Sequence, residues 1–201
     1  MPGDVSYYRD KIGSMLEETN RLTQLVDSLL TMARADSGRV QLHRVEVNLF
    51  DLAEETVGLL EVLAEEKQQS ILIDGDRSTS VMADRTILRQ ALVSLLHKAV
   101  KYSPEHGDIR LRVRETEQDA IVEVENSGPG IAPEHRTRIF ERFYRVDKSR
   151  TRATGGAGLG LSIAQWAVSA HGGTIEVQCE SGSGSVFRIS LPKHASLVPV
   201  R

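Results

Sequence analysis

Cysteine is nearly absent: Cys179 is the only one in 201 residues. That excludes an internal disulfide framework and a multi-cysteine zinc site, and it suits a reducing compartment. Long apolar runs are missing too. None approaches the ~18 residues that a membrane helix needs, and Met1-Pro2-Gly3-Asp4 does not open a signal peptide. The chain as given is therefore expected to be soluble. Positive charge is not in excess: 25 Lys and Arg against 28 Asp and Glu leave −3, which excludes a globally basic nucleic-acid binder. There is no internal repeat. No G-x-x-x-x-G-K-[ST] loop occurs, and the dinucleotide fingerprint fails because Ile163 stands where its last glycine belongs. What remains is 40% apolar and 26% charged, enough to build a packed core as one substantial domain or a medium domain with an appendage.

The charge that is present is unevenly spread. Between Arg136 and Arg152, seven basic residues (Arg136, Arg138, Arg142, Arg145, Lys148, Arg150 and Arg152) face only Glu141 and Asp147. A run of this kind is ordinarily a solvated surface, unless its neighbours supply an anion.

Residues 6–35 carry apolar positions in alternating steps of four and three: Tyr8, Ile12, Met15, Thr19, Leu22, Val26, Leu29 and Ala33. This is the seam of a coiled coil or bundle. Leu16, Leu25, Leu30 and Met32 widen it toward four-helix packing, and Asp36-Ser37-Gly38 ends the helix. A helix with so wide an apolar face needs a partner, either another helix or its own domain.

From Val45 the pattern is mixed. Asn48 with Asp51 starts a helix whose inner face is Leu49, Leu52, Ala53, Val57, Leu60 and Leu63. Residues 70–74 read as a strand closed by Gly75, and a second helix spans 84–101 with Leu88, Leu92, Leu95, Leu96 and Ala99 inward. Residues 109–114 and 120–125 alternate as paired strands. A third helix spans 161–170, stopped by Gly172-Gly173, and 174–179 with 186–191 form a last hairpin. The sum is an α+β layer, a mixed sheet with helices packed on one face.

Three glycine-bearing segments carry the chemistry: Glu125-Asn126-Ser127-Gly128-Pro129-Gly130-Ile131, Gly155-Gly156-Ala157-Gly158-Leu159-Gly160-Leu161, and the Gly182/Gly184 turn. A glycine-rich turn entering a helix gathers main-chain N–H groups and the positive end of the helix dipole, where phosphate oxygens bind.

In this order the segments resemble the ATP-binding catalytic part of sensor histidine kinases, the fold shared with gyrase-type ATPases. Residues 84–104 (DRTILRQALVSLLHKAVKYSP) look like the family's asparagine box, ENSGPGI the first glycine box, RIFERFYR the phenylalanine box, GGAGLGL the second glycine box and GSGSVF the last. LEETNRLTQLVDSLLTMARADSG is similar to the second dimerisation helix, with wording closest to heavy-metal sensor kinases. The resemblance implies residues 1–44 as a partial dimerisation helix and linker, 45–193 as the ATP-binding domain and 194–201 as a tail. It implies ATP and Mg²⁺ as cofactors, with the γ-phosphoryl group passing in line to a histidine and then to a response-regulator aspartate. It implies a homodimer through the N-terminal helix, a response-regulator receiver domain as partner, no nucleic acid, and a setting on the cytoplasmic face of the bacterial inner membrane.

Carried over by motif, the nucleotide-binding positions are Ser94, Lys98, Lys101, Tyr102, Asn126, Gly128, Gly130, Ile131, Phe140, Arg145, Arg150, Gly156, Gly158, Leu159, Gly160 and Leu161. Lys101 and Arg145 are the catalytic candidates, and the basic run falls on the lid over the triphosphate, where its charge meets an anion.

Three departures matter. The helix bearing the family's phosphoacceptor histidine is not in the sequence. None of His43, His97, His106, His135, His171 and His194 precedes a carboxylate, so all six read as structural or surface, with His171 at a helix end that favours a cation. Lys98 replaces the asparagine that ligates Mg²⁺, so no intact metal ligand remains there, since an ammonium has donors and no acceptor. Asn126 replaces the aspartate that accepts the adenine amino group.

Two readings of Lys98 stay open. In one it swings to solvent, Asn126 keeps its hydrogen bond and ordinary weak ATP binding persists. In the other it occupies the metal's place, where its charge partly replaces Mg²⁺ or nucleotide binding is lost, with catalysis impaired. Three function classes follow. They are the catalytic fragment of a histidine kinase, a pseudokinase interaction module that dimerises without ATP turnover, and a gyrase- or chaperone-type ATPase. The last would want a carboxylate near Ser94 to activate water, and Ser94, His97 and Lys98 offer none.

Overall fold

The computed structural model describes residues 5–36, 40–146, 157–179 and 184–193. The chain divides into two units, Met1–Val40 with Asp147–Ala157, and Gln41–Val146 with Gly158–Arg201.

In the first unit, helix α1 runs Val5–Asp36, about 48 Å at 1.5 Å per residue. The seam read from the sequence lies open: Tyr8, Ile12, Met15, Leu22, Val26 and Leu29 are all exposed. The Gly38 stop lies outside the described residues. No helix among the described residues is long and apolar enough to cross a membrane.

The second unit begins with a short antiparallel pair, β1 (Val45–Asn48) and β3 (Ser80–Ala83), which the sequence pattern does not announce. The main sheet has five strands, β2 (Ser70–Gly75), β4 (Asp108–Glu115), β5 (Asp119–Asn126), β6 (Thr174–Gln178) and β7 (Ser185–Pro192), in the order β2-β4-β5-β7-β6. It is mixed, because β2 and β4 are parallel while every other pair is antiparallel. Helices α2 (Leu49–Glu65), α3 (Arg85–Tyr102) and α4 (Gly160–Ala170) pack on β2, β5 and β6 respectively.

The alternation of each strand decides its two faces. Ile109, Leu111, Val113, Val122, Val124, Phe187 and Ile189 point to the helices and are buried with Leu92, Leu95 and Leu96. The opposite face is an ionic mosaic. Arg112 pairs with Glu125 at 3.3 Å and with Asp74 at 3.6 Å. Glu123, buried there, is held between Arg114 and Arg188. Burial pushes its carboxyl up, but the bonds from Arg188 and Arg114 outweigh this and hold it below the ordinary glutamate value.

Helix α2 starts where expected: Asn48 Oδ1 accepts from the N–H groups of Phe50 (2.9 Å) and Asp51 (3.0 Å). Its inner face differs at its end, because Leu63 is exposed and Ala64 takes the buried position beside Thr56 and Leu60. Asn48→Ala should cost about 1 kcal/mol of stability, since it removes an N-cap acceptor without touching the core. A shift of the urea midpoint with unchanged slope would show it.

His171, at the C-terminus of α4, corrects the expectation of a cation at that point. Its Nε2 accepts the N–H of Asp84 at 2.8 Å and its Nδ1 donates to Ala167 O at 2.7 Å, so the ring is the neutral tautomer. Burial pushes its pKa down from 6.5. The positive charge at this helix end comes from Arg44, whose guanidinium donates to Ala170 O at 3.3 Å.

Candidate functional site

The site is built on α3. Asp84 caps its start, with Oδ1 accepting from Thr86 and Ile87 N–H at 3.1 Å and Oδ2 from His43 N–H at 3.0 Å. Leu88, Ala91, Leu92, Leu95, Leu96 and Ala99 bury one stripe. A second stripe in steps of four and three or four, Ser94, Lys98, Lys101 and Tyr102, is left half-buried or exposed.

The far end of α3 is fastened by two side chains that the sequence does not flag. Lys67 Nζ donates to Val100 O (2.8 Å), Lys101 O (3.0 Å) and Ser103 O (3.2 Å). Gln69 Nε2 donates to the carbonyls of Val100, Ser103 and Pro104. The terminal carbonyls of a helix have no partner within it, and here they rigidify the turn that carries Lys101 and Tyr102.

The first glycine segment leaves β5 and packs on that end. A Cβ on Gly128 would lie 2.7 Å from Tyr102 O, so only glycine permits the approach. Asn126 is buried; its amide Oδ1 accepts from Gly128 N–H (3.0 Å) and its Nδ2 donates to Ser185 O (3.2 Å), an orientation set by those partners. The carbonyl keeps a second lone pair. Gly130 has φ +79°, and Ile131 packs against the core. Gly184, in the last glycine segment, lies against the main chain of Asn126.

The second glycine segment sits at the other end of the stripe. Gly160 opens α4 facing Ser94, with a Cβ there 3.8 Å from the serine. Gly158 (φ +74°) lies against the backbone of Phe143 and Tyr144, and its carbonyl accepts from Phe143 N–H at 3.0 Å. Phe143 is itself in the left-handed region, at φ +61°. Leu159, Leu161 and Phe140 are buried, so their side chains serve the core. Gly156 and Arg150 lie outside the described residues.

Ser94 and Tyr102, the two points of approach, are eight residues apart on α3, about 12 Å along its axis. Cations gather in that interval. Lys98 Nζ lies 4.7 Å from the centroid of the Tyr102 ring and Lys101 Nζ lies 5.6 Å from the same centroid. Burial pushes Lys98 down to about 8, aided by Lys101 and opposed by Cys179. Burial also lowers Lys101, with Arg145 and then Lys67 adding to it, so Arg145 is within electrostatic reach of Lys101.

Part of the basic run has another use. Arg136 donates to Ile131 O (3.0 Å) and Cys179 O (2.8 Å), tying the first glycine segment to the end of β6. Arg138 stacks on Tyr144, 4.3 Å from its centroid, and pairs with Glu141. These two guanidinium groups hold the fold; Lys148, Arg150 and Arg152 lie outside the described residues.

Magnesium demands oxygen ligands in near-octahedral geometry. By the resemblance, the position that would offer one carries the ammonium of Lys98, which has donors and no acceptor, so this side chain does not fit a magnesium site.

Comparison with known proteins agrees with this architecture. The pattern of the histidine kinase-, DNA gyrase B- and HSP90-like ATPase family matches residues 83–195. The chain is 35% identical over 178 residues to the sensor-like histidine kinase SenX3 of Mycobacterium tuberculosis (strain ATCC 25618 / H37Rv), covering 89% of this chain and 43% of that protein. It is 38% identical over 183 residues to the sensor histidine kinase CusS of Escherichia coli (strain K12), covering 91% and 38%. It thus spans about two fifths of the length of these curated relatives. Among solved structures, full-length ShkA in complex with AMPPNP superposes with a TM-score of 0.82 at 30% identity, over 96% of this chain and 40% of that one. Histidine kinase ThkA in complex with the response regulator TrrA does so at 0.76 and 27% identity, over 97% and 54%.

Proposed function

The chain belongs to the histidine kinase-, DNA gyrase B- and HSP90-like ATPase family, and from that premise we propose that it is the ATP-binding catalytic portion of a two-component sensor histidine kinase. The observation that carries this reading is the stripe of α3 with a glycine segment at each end and Lys98, Lys101 and Arg145 between and beside them. Adenine lies toward Asn126 and Gly128, its amino group donating to the free lone pair of the Asn126 carbonyl. The neutral acceptor makes that bond weaker than a carboxylate would, by about 1–2 kcal/mol. The phosphates lie toward Gly158, Gly160 and the main-chain N–H groups opening α4. Lys101 and Arg145 neutralise charge on the terminal phosphates and orient the γ-phosphorus for in-line attack by a histidine from another segment.

ShkA binds AMPPNP and ThkA binds a response regulator. By analogy this chain hands its phosphoryl group, through that histidine, to a receiver-domain aspartate. The open seam of α1 pairs with a second copy, residues 1–44 serving as a partial dimerisation helix and linker to the ATP-binding domain at 45–193. The whole protein works at the cytoplasmic face of a bacterial membrane. The placement of Lys98 favours a second reading, a pseudokinase module that dimerises and contacts its partner without turnover.

Calorimetric titration with ATP tests the site. Saturable one-to-one binding is expected, weakened about tenfold or more by Lys101→Ala or Arg145→Ala, because each removes a charged donor. Phosphoryl transfer to an added dimerisation domain then separates the kinase from the pseudokinase. Absence of saturable binding would overturn both the site and the kinase reading.

A further inference from the structure

Lys98 is one helical turn from Ser94 and one from Tyr102, at the middle of the interval bounded by Gly160 and Gly128. Its side chain does not run out to solvent. The ammonium rests on the Tyr102 ring, partly desolvated, next to Lys101, whose ammonium approaches the same ring. The contact that the Lys98 ammonium makes among the described residues is this one with the Tyr102 ring. Arg145 adds a third positive group beside Lys101.

Burial, with the like charge of Lys101 adding to it, loosens the hold of Lys98 on its proton. A partly desolvated ammonium with further positive charge beside it is complementary to a compact polyanion. A polyphosphate chain carries about four negative charges and many acceptor oxygens, and an ammonium offers three donors to them. In a site of this type the counter-charge is otherwise a divalent metal held by an asparagine oxygen. Here the side chain at that position brings its own charge and repels a second cation.

Resting on the nucleotide reading above, we propose that this site takes the polyphosphate of a nucleoside di- or triphosphate without a divalent cation, Lys98 contacting the phosphate oxygens directly. Lys98 is thereby the residue that sets the metal requirement of binding. The two open readings of the sequence separate on this point, since a solvated Lys98 would leave the metal requirement unchanged.

The test is calorimetric titration of the whole chain with ATP, once in EDTA and once with Mg²⁺ in excess. The expected result is affinities within about threefold of each other. In EDTA, Lys98→Gln should weaken binding about tenfold or more while Lys98→Arg retains it, because charge rather than length is the requirement. Lys98→Asn should bind poorly in EDTA and recover on addition of Mg²⁺. Circular dichroism melts of each variant keep a folding defect apart from a binding defect. Tightening of the unmodified chain by Mg²⁺ of more than about tenfold, or an unchanged affinity of Lys98→Gln in EDTA, overturns this inference and leaves the nucleotide site standing. No saturable binding in either buffer overturns the site itself and the inference with it.

Discussion

Gly184→Ala should destabilise the protein by about 3–5 kcal/mol and abolish nucleotide binding in whatever remains folded. Two effects add. Gly184 has φ +88°, a left-handed conformation that costs an L-residue about 1–2 kcal/mol. Worse, a Cβ there would stand 1.9 Å from the carbonyl oxygen of Asn126 and 3.0 Å from its carbon. Both are backbone, and the Asn126 backbone is fixed by pairing opposite Ser185. Relief can come only by parting β5 from β7 or by displacing the first glycine segment. Either movement breaks the bonds of the Asn126 amide to Gly128 and Ser185.

Gly160→Ala is the control. Its Cβ would meet Ser94 at an ordinary 3.8 Å and its φ is not in the left-handed region, so stability should hold or rise by up to about 1 kcal/mol from helix propensity. Urea denaturation of both variants measures the contrast. Equal stability of the two would show that the approach of Gly184 to Asn126 does not constrain the fold.

That contrast bears on what a linear sequence can reveal. Features that one stretch of chain enforces on itself are legible: the caps Asn48 and Asp84, the inward leucines of α3, the alternation of β4 and β5, and the glycines at turns all follow from local periodicity or local dihedral demand. Features made by distant residues are not. Nothing local marks Lys67 and Gln69 as the clasp of α3 across more than thirty residues, or Arg136 as a tie to Cys179. The β1–β3 pair, at four residues per strand, is too short to display a period.

Substitutions in the site are legible as chemistry but not as geometry. That Lys98 cannot ligate a metal follows from its side chain alone. That it lies on Tyr102 rather than in water requires knowing what stands one turn away. The basic run misleads in the same manner, because charge counting cannot separate Arg136 and Arg138, spent on carbonyls and a ring, from Arg145 beside Lys101.

His171→Leu should cost about 2–3 kcal/mol at neutral pH and should also remove a pH dependence. The ring joins two elements far apart in sequence, the end of α4 and the cap of α3, by accepting the Asp84 N–H at Nε2 while donating to Ala167 O from Nδ1. A leucine fills the volume but leaves that N–H buried with no acceptor, and an unmet donor carries most of the cost. The sign of the pH effect follows from linkage. Burial holds the folded pKa of His171 below the ordinary 6.5. Above 6.5 neither folded nor unfolded chain is protonated here, and the full contribution is present. As pH falls below 6.5 the unfolded chain takes up a proton that the folded chain refuses, so stability drops until the folded pKa is passed.

Protonation also destroys the acceptor, which makes the loss of the Asp84 contact and the titration one event. His97 is lowered in the same direction, by burial and then by Lys101, so the readout is the part of the slope that disappears in the variant. Urea midpoints at pH 5.5, 6.5 and 7.5 suffice, the unmodified chain losing more stability on acidification than His171→Leu does. A parallel decline of the two would mean that His171 titrates as freely in the folded chain as in the unfolded one. The bond from Asp84 would then contribute nothing to holding α3 against α4, the two helices that carry Ser94 and Gly160 to the same place.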